Sequence, residues 1–339
     1  MSVSLPTVVD RRGRRLADLR ISVTDRCNFR CTYCMPRDHF GAGHRFLPKS
    51  EILSFEEIGR VVAALRPLGL EKVRLTGGEP LLRVELDRLV SQLRVHEGLD
   101  IALTTNGSLL ARSAEALKRA GVGRLTVSLD ALDDESFRRM TDADYAVADV
   151  LAGIDAAERA GFAPIKVNCV VRRGVNEGEI LPLARHFRER GHIIRFIEYM
   201  DVGLTNGWRL DEVVSGQEIV GHISSVFLAE PIGPTRPGEV ARRYRYLDGA
   251  GEFGVITSVT RPFCGDCTRL RLTADGKLHT CLFSPAGRDL RPLLRGGASE
   301  EELVTFLAEL WQQRDDRYSE LRSQRALGLR RPEMSYVGG

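Results

Sequence analysis

Cys27-Asn28-Phe29-Arg30-Cys31-Thr32-Tyr33-Cys34 places three thiols at the spacing C-x3-C-x2-C, directly after the apolar-polar run Leu19 to Thr24. In α/β architectures, functional groups gather where strands end and loops begin, so this stretch reads as a first strand delivering a site. Three thiolates this close together cap three irons of a [4Fe-4S] cube, which normally takes four ligands, and leave one iron open to a small molecule. Zinc would require a fourth ligand, and the nearest imidazole, His39, lies five residues on without a matching spacing. A disulfide would leave one thiol over and belongs to secreted chains. Three ordinary buried cysteines seldom fall at this spacing.

Outward from that stretch, strand-like runs alternate with amphipathic ones. Leu19 to Thr24, Lys72 to Thr76, Asp100 to Thr105, Arg124 to Leu129, Ile165 to Val171 and Ile193 to Glu198 read as strands. Phe55 to Leu65, Val84 to Val95, Leu109 to Ala120, Val147 to Ala160 and Glu179 to Arg190 read as helices, four of them followed by a glycine at the stop position. Five β-α-β crossovers imply a parallel sheet. Alternation puts Arg20, Ser22, Arg74, Thr76, Thr126, Ser128, Lys166 and Asn168 on one face, and aliphatic residues with Cys169 on the other. The aliphatic face belongs under the helices, with Cys169 an inert core thiol. The polar face then lines an interior that a closed eight-stranded barrel would fill with Val, Ile and Leu. The expectation is an incomplete (βα)6 TIM-like barrel with a smaller C-terminal domain. A twisted open sheet with one solvated face is the alternative, but parallel sheets are generally covered on both faces.

The second strand runs into Thr76-Gly77-Gly78-Glu79-Pro80, where two glycines let backbone approach a ligand and Pro80 can open the next helix. Thr104-Thr105-Asn106-Gly107, Ser128-Leu129-Asp130 and Glu198-Tyr199-Met200 end later strands. Near the C-terminus, Cys264-x2-Cys267 and Cys281 form a second trio flanking a hairpin with loop Ala274-Asp275-Gly276. A three-residue loop pairs Arg271 with His279 and Arg269 with Cys281, placing two guanidiniums on the face of a ligating thiol. A zinc site completed by His279 is the alternative, although His279 and Cys281 would both have to reach one ion from a single strand. Between about Gly207 and Val259 only one helix and a Pro/Gly-rich loop are legible. The boundaries are therefore set at 1–206 for the barrel and 207–339 for a C-terminal region that carries the second trio.

Cys27-x3-Cys31-x2-Cys34, with Tyr33 before the last thiol, resembles the signature of the radical S-adenosylmethionine enzymes. The longer stretch from Asp18 to Pro36, the Gly-Gly-Glu-Pro turn and the second trio resemble the GTP 3′,8-cyclase family, which opens molybdenum cofactor biosynthesis. The resemblance implies a lyase with two [4Fe-4S] clusters, on Cys27, Cys31 and Cys34 and on Cys264, Cys267 and Cys281. S-Adenosylmethionine at the first open iron is cleaved to a 5′-deoxyadenosyl radical, and the second open iron engages the guanine of GTP. It further implies that Tyr33, Gly78, Ser128 and the Met200 backbone border S-adenosylmethionine, and that Arg20, Arg74, Thr105, Lys166, Arg269 and Arg271 contact GTP. The closing Gly338-Gly339 would enter the active site. An external electron donor and transfer of product to the cyclic pyranopterin monophosphate synthase are implied, with room for a homodimer. A radical peptide-modifying enzyme and a non-catalytic iron-sulfur redox sensor are the competing classes.

The remaining composition is permissive. With 49 basic against 46 acidic residues, net charge implies no nucleic-acid or membrane partner. Only five of the basic residues are lysines, so a lysine in an apolar run is more telling than an arginine. No P-loop sequence is present, so a triphosphate must be held by side-chain cations. Met1 to Arg15 lacks an apolar targeting core, and the Arg11 to Arg15 cluster is expected in a solvated turn. No run approaches the length of a membrane span, and a cytoplasmic location is expected.

Overall fold

The expected strands form, and they form in order. A computed structural model of the chain describes residues 8–236, 238–324 and 331–338. β1 (Asp18–Ser22), β2 (Lys72–Thr76), β3 (Asp100–Thr105), β4 (Arg124–Ser128), β5 (Lys166–Val171) and β6 (Ile193–Glu198) pair in parallel, each with the next. Between β1 and β2 lie α1 (Arg37–Phe40) and α2 (Phe55–Leu65), and the later crossovers carry α3 (Leu86–Leu93), α4 (Ala114–Ala120), α5 (Asp134–Thr141), α6 (Val147–Arg159) and α7 (Ile180–Glu189).

Alternation along these strands sorts the residues as their chemistry demands. Leu19, Ile21, Val73, Leu75, Val127, Val167, Cys169 and Val171 are buried in the core with Ile58, Val61, Val62 and Leu65 of α2. Each such aliphatic side chain contributes roughly 1.5–3 kcal/mol by leaving water. α2 starts at a capping box in which Ser54 and Glu57 satisfy each other's backbone donors, which fixes its register against the sheet.

The C-terminal region extends the same sheet at both edges. After α8 (Gly216–Ser224) come β7 (Ala229–Ile232), β8 (Arg242–Tyr246) and β9 (Glu252–Ile256), and β9 pairs in parallel with β6. β10 (Arg269–Leu272) pairs in parallel with β1, and β11 (Lys277–His279) and β12 (Arg288–Asp289) follow outward. Among the described residues the order is β12-β11-β10-β1-β2-β3-β4-β5-β6-β9-β8-β7. α9 (Arg291–Arg295), α10 (Glu300–Gln312) and α11 (Met334–Val337) complete the chain. The hairpin has the expected register, with Arg271 opposite His279 and Leu272 opposite Leu278.

Four local readings need correction. Pro80 opens a short 3-10 turn, Pro80–Leu82, and α3 begins only at Leu86 after Glu85, whose φ is +57°. β7 to β9 were hidden because β7 contains Pro231 and β8 reads Arg-Arg-Tyr-Arg-Tyr, whose ordering comes from Tyr244 stacking on Phe253 (5.1 Å). α5 was passed over although Asp133 caps it, accepting from Ser136 N at 2.7 Å. Arg14 is not solvated: it is buried and ion-paired with Asp10, whereas its neighbours Arg11 and Arg12 are exposed.

Candidate active site

The loop after β1 is held from below by the helix that patterning overlooked. Arg30 N and Thr32 N donate to the Thr141 and Met140 carbonyls at the end of α5 (2.9 and 3.0 Å), and Phe29 packs edge-on against Phe137 (5.9 Å). Sideways, Asn28 bonds Ser108 and Asn106 (both 2.9 Å) in the loop after β3. Gly77 and Gly78 lie against the cysteine loop: a Cβ on Gly77 would stand 2.5 Å from Thr24 O, and one on Gly78 2.2 Å from Arg26 O. Only glycine permits that approach. Glu79 then ties the second loop to the third, accepting from Leu81 N (3.0 Å), Thr105 Oγ1 (2.8 Å) and Asn106 N (2.7 Å). Burial pushes its carboxyl up to about 7 despite those donors. Asp130, raised to about 6 by burial, accepts from Tyr33 OH and Val170 N (both 2.8 Å).

Both cysteine trios open onto one cavity of about 280 Å³. Cys27, Cys31 and Cys34 line it from the β1 loop, and Cys264, Cys267 and Cys281 from the tail. Tyr33, Gly78, Thr105, Ser128, Met200, Arg20, Arg74, Arg269 and Arg271 line it as well. Lys166 lies beyond, in an adjoining cavity of about 80 Å³ that shares Arg20, Arg74, Arg195 and Arg269 with the first. Gly338 lies against the inner wall: Arg271 Nη1 donates to the Val337 and Gly338 carbonyls, and Ser22 Oγ to Tyr336 O (3.3 Å). Gly339 falls outside the described residues.

Burial, reinforced by Glu79, pushes the Cys27 thiol up to about 12. The second trio is split: Arg269 and Arg314 outweigh burial and hold Cys267 at about 6, whereas burial pushes Cys281 up to about 11. The wall between is crowded with cations. Burial and the neighbouring guanidiniums lower Arg74 to about 10, Arg195 and Arg271 to about 9, and Lys166 to about 8. Arg20 is driven down by burial and by Arg271, Arg269 and Arg74. Arg74 Nη1 rests on Thr104 and Thr126 hydroxyls (2.8 and 3.1 Å), and Arg195 Nε is buried with no partner among the described residues. Cations packed this closely repel one another unless an anion joins them, so the cavity suits a polyanion.

Sequence reasoning missed Arg195, Lys72 and the two buried carboxylates. Arg195 was legible, since it alternates with the buried Ile194 and Phe196 as Arg74 alternates with Val73 and Leu75. Lys72, 3.2 Å from Asp18, opens β2 and is one of the few lysines. Glu79 and Asp130 gave no separate signal because both belong to turn-like stretches.

The donor sets fit clusters. His279, the fourth ligand of the zinc alternative, turns Nδ1 to Ser284 O (3.3 Å), lies with Nε2 against Gly287 and packs on Tyr336. Among the described residues no three His, Cys, Asp or Glu side chains converge on a single ion. Six thiols in two trios lining one cavity have the soft-donor chemistry that iron-sulfur clusters take.

Residues 21–187 match the Radical SAM superfamily model and residues 192–320 the Molybdenum Cofactor Synthesis C model. The GTP 3′,8-cyclase of Acidothermus cellulolyticus is 53% identical, covering 97% of this chain and 98% of its own. The chain belongs to the GTP 3′,8-cyclase family. Other cyclases of the family, from Xanthomonas axonopodis pv. citri (50%, 97% of this chain and 98% of that one) and Staphylococcus saprophyticus (46%, 98% and 99%), match as fully. The cyclase-family chain also shares its fold with Streptococcus suis SuiB bound to S-adenosylmethionine, at TM-score 0.62 and 14% identity over 93% of this chain and 70% of that one. At that identity the likeness concerns the fold. Among the described residues no helix is long and apolar enough to cross a membrane.

Proposed function

We propose that this chain converts GTP to (8S)-3′,8-cyclo-7,8-dihydroguanosine 5′-triphosphate, the first step of molybdenum cofactor biosynthesis. The observation that carries the reading is the single cavity onto which two cysteine trios and a buried cationic wall all open. Cys27, Cys31 and Cys34 hold one [4Fe-4S] cluster, and Cys264, Cys267 and Cys281 hold the other. With S-adenosylmethionine bound, the first cluster, reduced by the external donor, would supply the one electron that cleaves the sulfonium C–S bond to methionine and a 5′-deoxyadenosyl radical, which the reaction needs because the ribose C3′ hydrogen has no useful acidity.

The chain's own residues do the positioning. Gly77 and Gly78 let the second loop close on the cysteine loop, so that backbone rather than side chain borders S-adenosylmethionine, with Tyr33, Ser128 and Met200 around it. Arg269 and Arg271 steer the guanosine from the tail hairpin. Arg20, Arg74, Lys166 and Arg195 take the triphosphate, and Thr105 is fixed by Glu79 beside them. Arg271 draws the tail at Val337 and Gly338 against the inner wall, and the proposed role of Gly339 falls outside the described residues. The barrel (1–206) supplies the S-adenosylmethionine site and the triphosphate cations, the tail (207–339) supplies the guanosine end, and geometry of this kind accounts for several orders of magnitude in rate. The reading places the enzyme in the cytoplasm, dependent on an external electron donor, with its product passing to the cyclic pyranopterin monophosphate synthase.

Anaerobic incubation with reductant, S-adenosylmethionine and GTP, followed by mass analysis, is the test. 5′-Deoxyadenosine together with an isomeric dihydro-nucleotide is the expected result. 5′-Deoxyadenosine at wild-type yield with GTP recovered unchanged sinks the reading.

A further inference from the structure

Side chains from the two ends of the described chain meet at the second trio. Asp10 Oδ1 accepts from Arg12 N and Arg14 N (both 2.9 Å), and its Oδ2 accepts from Arg14 Nε (2.6 Å) and Arg314 Nη1 (3.2 Å). The three side chains are at most 2% exposed. Two guanidiniums therefore share one fully buried carboxylate, and the second acid, Asp316, stands 3.7 Å from Arg314 on the partly solvated side, so the positive charge is only partly balanced in the interior.

Both guanidiniums also reach the cysteine backbone. Arg14 Nη1 donates to Cys264 O (2.8 Å) and Asp316 O (2.7 Å), and Arg314 Nη1 donates to Cys267 O (2.7 Å). Asp316, whose carboxylate is partly solvated, accepts from the hydroxyl of Thr280, the residue before Cys281 (2.5 Å), and lies 3.7 Å from Arg314 Nε. Each cysteine of the trio is thus tied to the same network, directly or through its neighbour. The network is itself clamped: Trp311 Nε1 donates to Arg14 O (3.0 Å), and the Arg314 guanidinium lies over the Trp311 ring at 4.5 Å. Arg14 Nη2 remains a buried donor without a partner among the described residues. At the first trio, among the described residues, the one cysteine carbonyl held by a guanidinium is that of Cys27, from Arg30 Nη1 (2.8 Å), which also takes the Phe29 carbonyl.

We propose that Arg14 and Arg314, held by Asp10, are positioning residues that brace the second trio and set the reduction potential of the cluster it holds. The proposal rests on the reading that this trio carries a cluster. Reduction adds negative charge to the centre, and a cation fixed in a low-dielectric interior favours it far more than one in water. The carbonyl clamps hold the Cys264 and Cys267 segments in place, and Asp316 on Thr280 holds the segment before Cys281, as partners one shell out from a metal commonly do.

The test compares Arg314→Met, Arg314→Lys and Asp10→Asn in protein reconstituted with both clusters. Each cluster is titrated by electron paramagnetic resonance, and iron release to a chelator is timed. Removing a cation in Arg314→Met drives the second potential more negative and speeds iron release roughly tenfold or more. Removing the anion in Asp10→Asn moves the same potential the opposite way. Arg314→Lys restores the potential but not the slow release, because an ammonium lacks the forked geometry. The first cluster keeps its potential throughout. If Arg314→Met fails to fold, the contrast between Arg314→Lys and Asp10→Asn decides. Shifts of the same sign in Arg314→Met and Asp10→Asn, or none in either, overturn the brace. Wild-type iron and sulfide sufficient for one cluster only, unchanged by Cys264→Ala, overturn instead the reading on which it rests.

Discussion

Gly78→Ala tests the contact that brings backbone to the cysteine loop. A methyl at Gly78 would lie 2.2 Å from Arg26 O, 2.5 Å from Arg26 C and 3.0 Å from Cys27 N. Carbon atoms rest about 3.5–4.0 Å apart, so a gap of about 1 Å has to open between the loops. Those atoms are main chain and cannot swing aside, and the loops are laced by Gly78 N to Thr24 O (2.9 Å) and Glu79 N to Arg26 O (2.8 Å). Opening the gap stretches both bonds and costs about 1–3 kcal/mol of stability. Its effect on chemistry is larger, since a displacement of about 1 Å at a reacting group costs roughly 100-fold in rate. The assay is 5′-deoxyadenosine formation under anaerobic reduction, with iron content and GTP affinity measured on the same sample. The expected outcome is a roughly 100-fold slower cleavage, GTP affinity unchanged. Wild-type cleavage by a fully loaded Gly78→Ala protein would refute the reasoning.

Other outcomes follow from the cationic wall and the tail. Arg195→Met should weaken GTP binding roughly 10- to 150-fold, the value of one charge-assisted bond of about 1.5–3 kcal/mol, as measured by equilibrium dialysis. Lys166, held at about 8, loses its proton in the free protein as pH rises past that value, whereas a bound polyphosphate restores it. GTP affinity should therefore fall between about pH 7.5 and 9 with net proton uptake, and binding heats that do not depend on buffer ionisation at pH 8.5 would contradict this. The same depression from 10.5 means that the unfolded chain binds this proton more tightly, so the group's contribution to stability grows as pH climbs from about 8 to 10.5, read as thermal midpoint against pH. Gly338→Ala puts a methyl 2.6 Å from Thr76 Cγ2 at φ +72°. It should displace the tail, lower cyclised product and leave S-adenosylmethionine binding intact, as followed by product yield and equilibrium binding.

The six-stranded parallel sheet was legible because period-two alternation is a direct record of which side of a strand meets hydrocarbon. Arg20 and Arg74 announced a polar interior against Ile21 and Leu75, and the hairpin register followed from the loop Ala274-Asp275-Gly276. What stayed hidden depends on contacts distant in sequence. Tyr244 and Phe253 build their strand pair by stacking, and Arg14 is buried only because Asp10 and the end of α10 enclose it. Glu79 and Asp130 looked like turn residues, and only their donors reveal them as struts between neighbouring loops. The short apolar content of α5 likewise gains meaning only when Phe29 is seen resting on Phe137.

The pairing of β10 with β1 joins Asp18 to Arg269, 251 positions later. A nascent chain leaving the ribosome therefore exposes the unpaired flank of its first strand until most of synthesis is over, a long wait for an edge able to recruit other strands. Over the same interval the loop that follows β1, with Cys27, is without the neighbour that β10 brings beside that strand. Truncation anywhere before β10 leaves that flank open, whatever the integrity of the six strands already made.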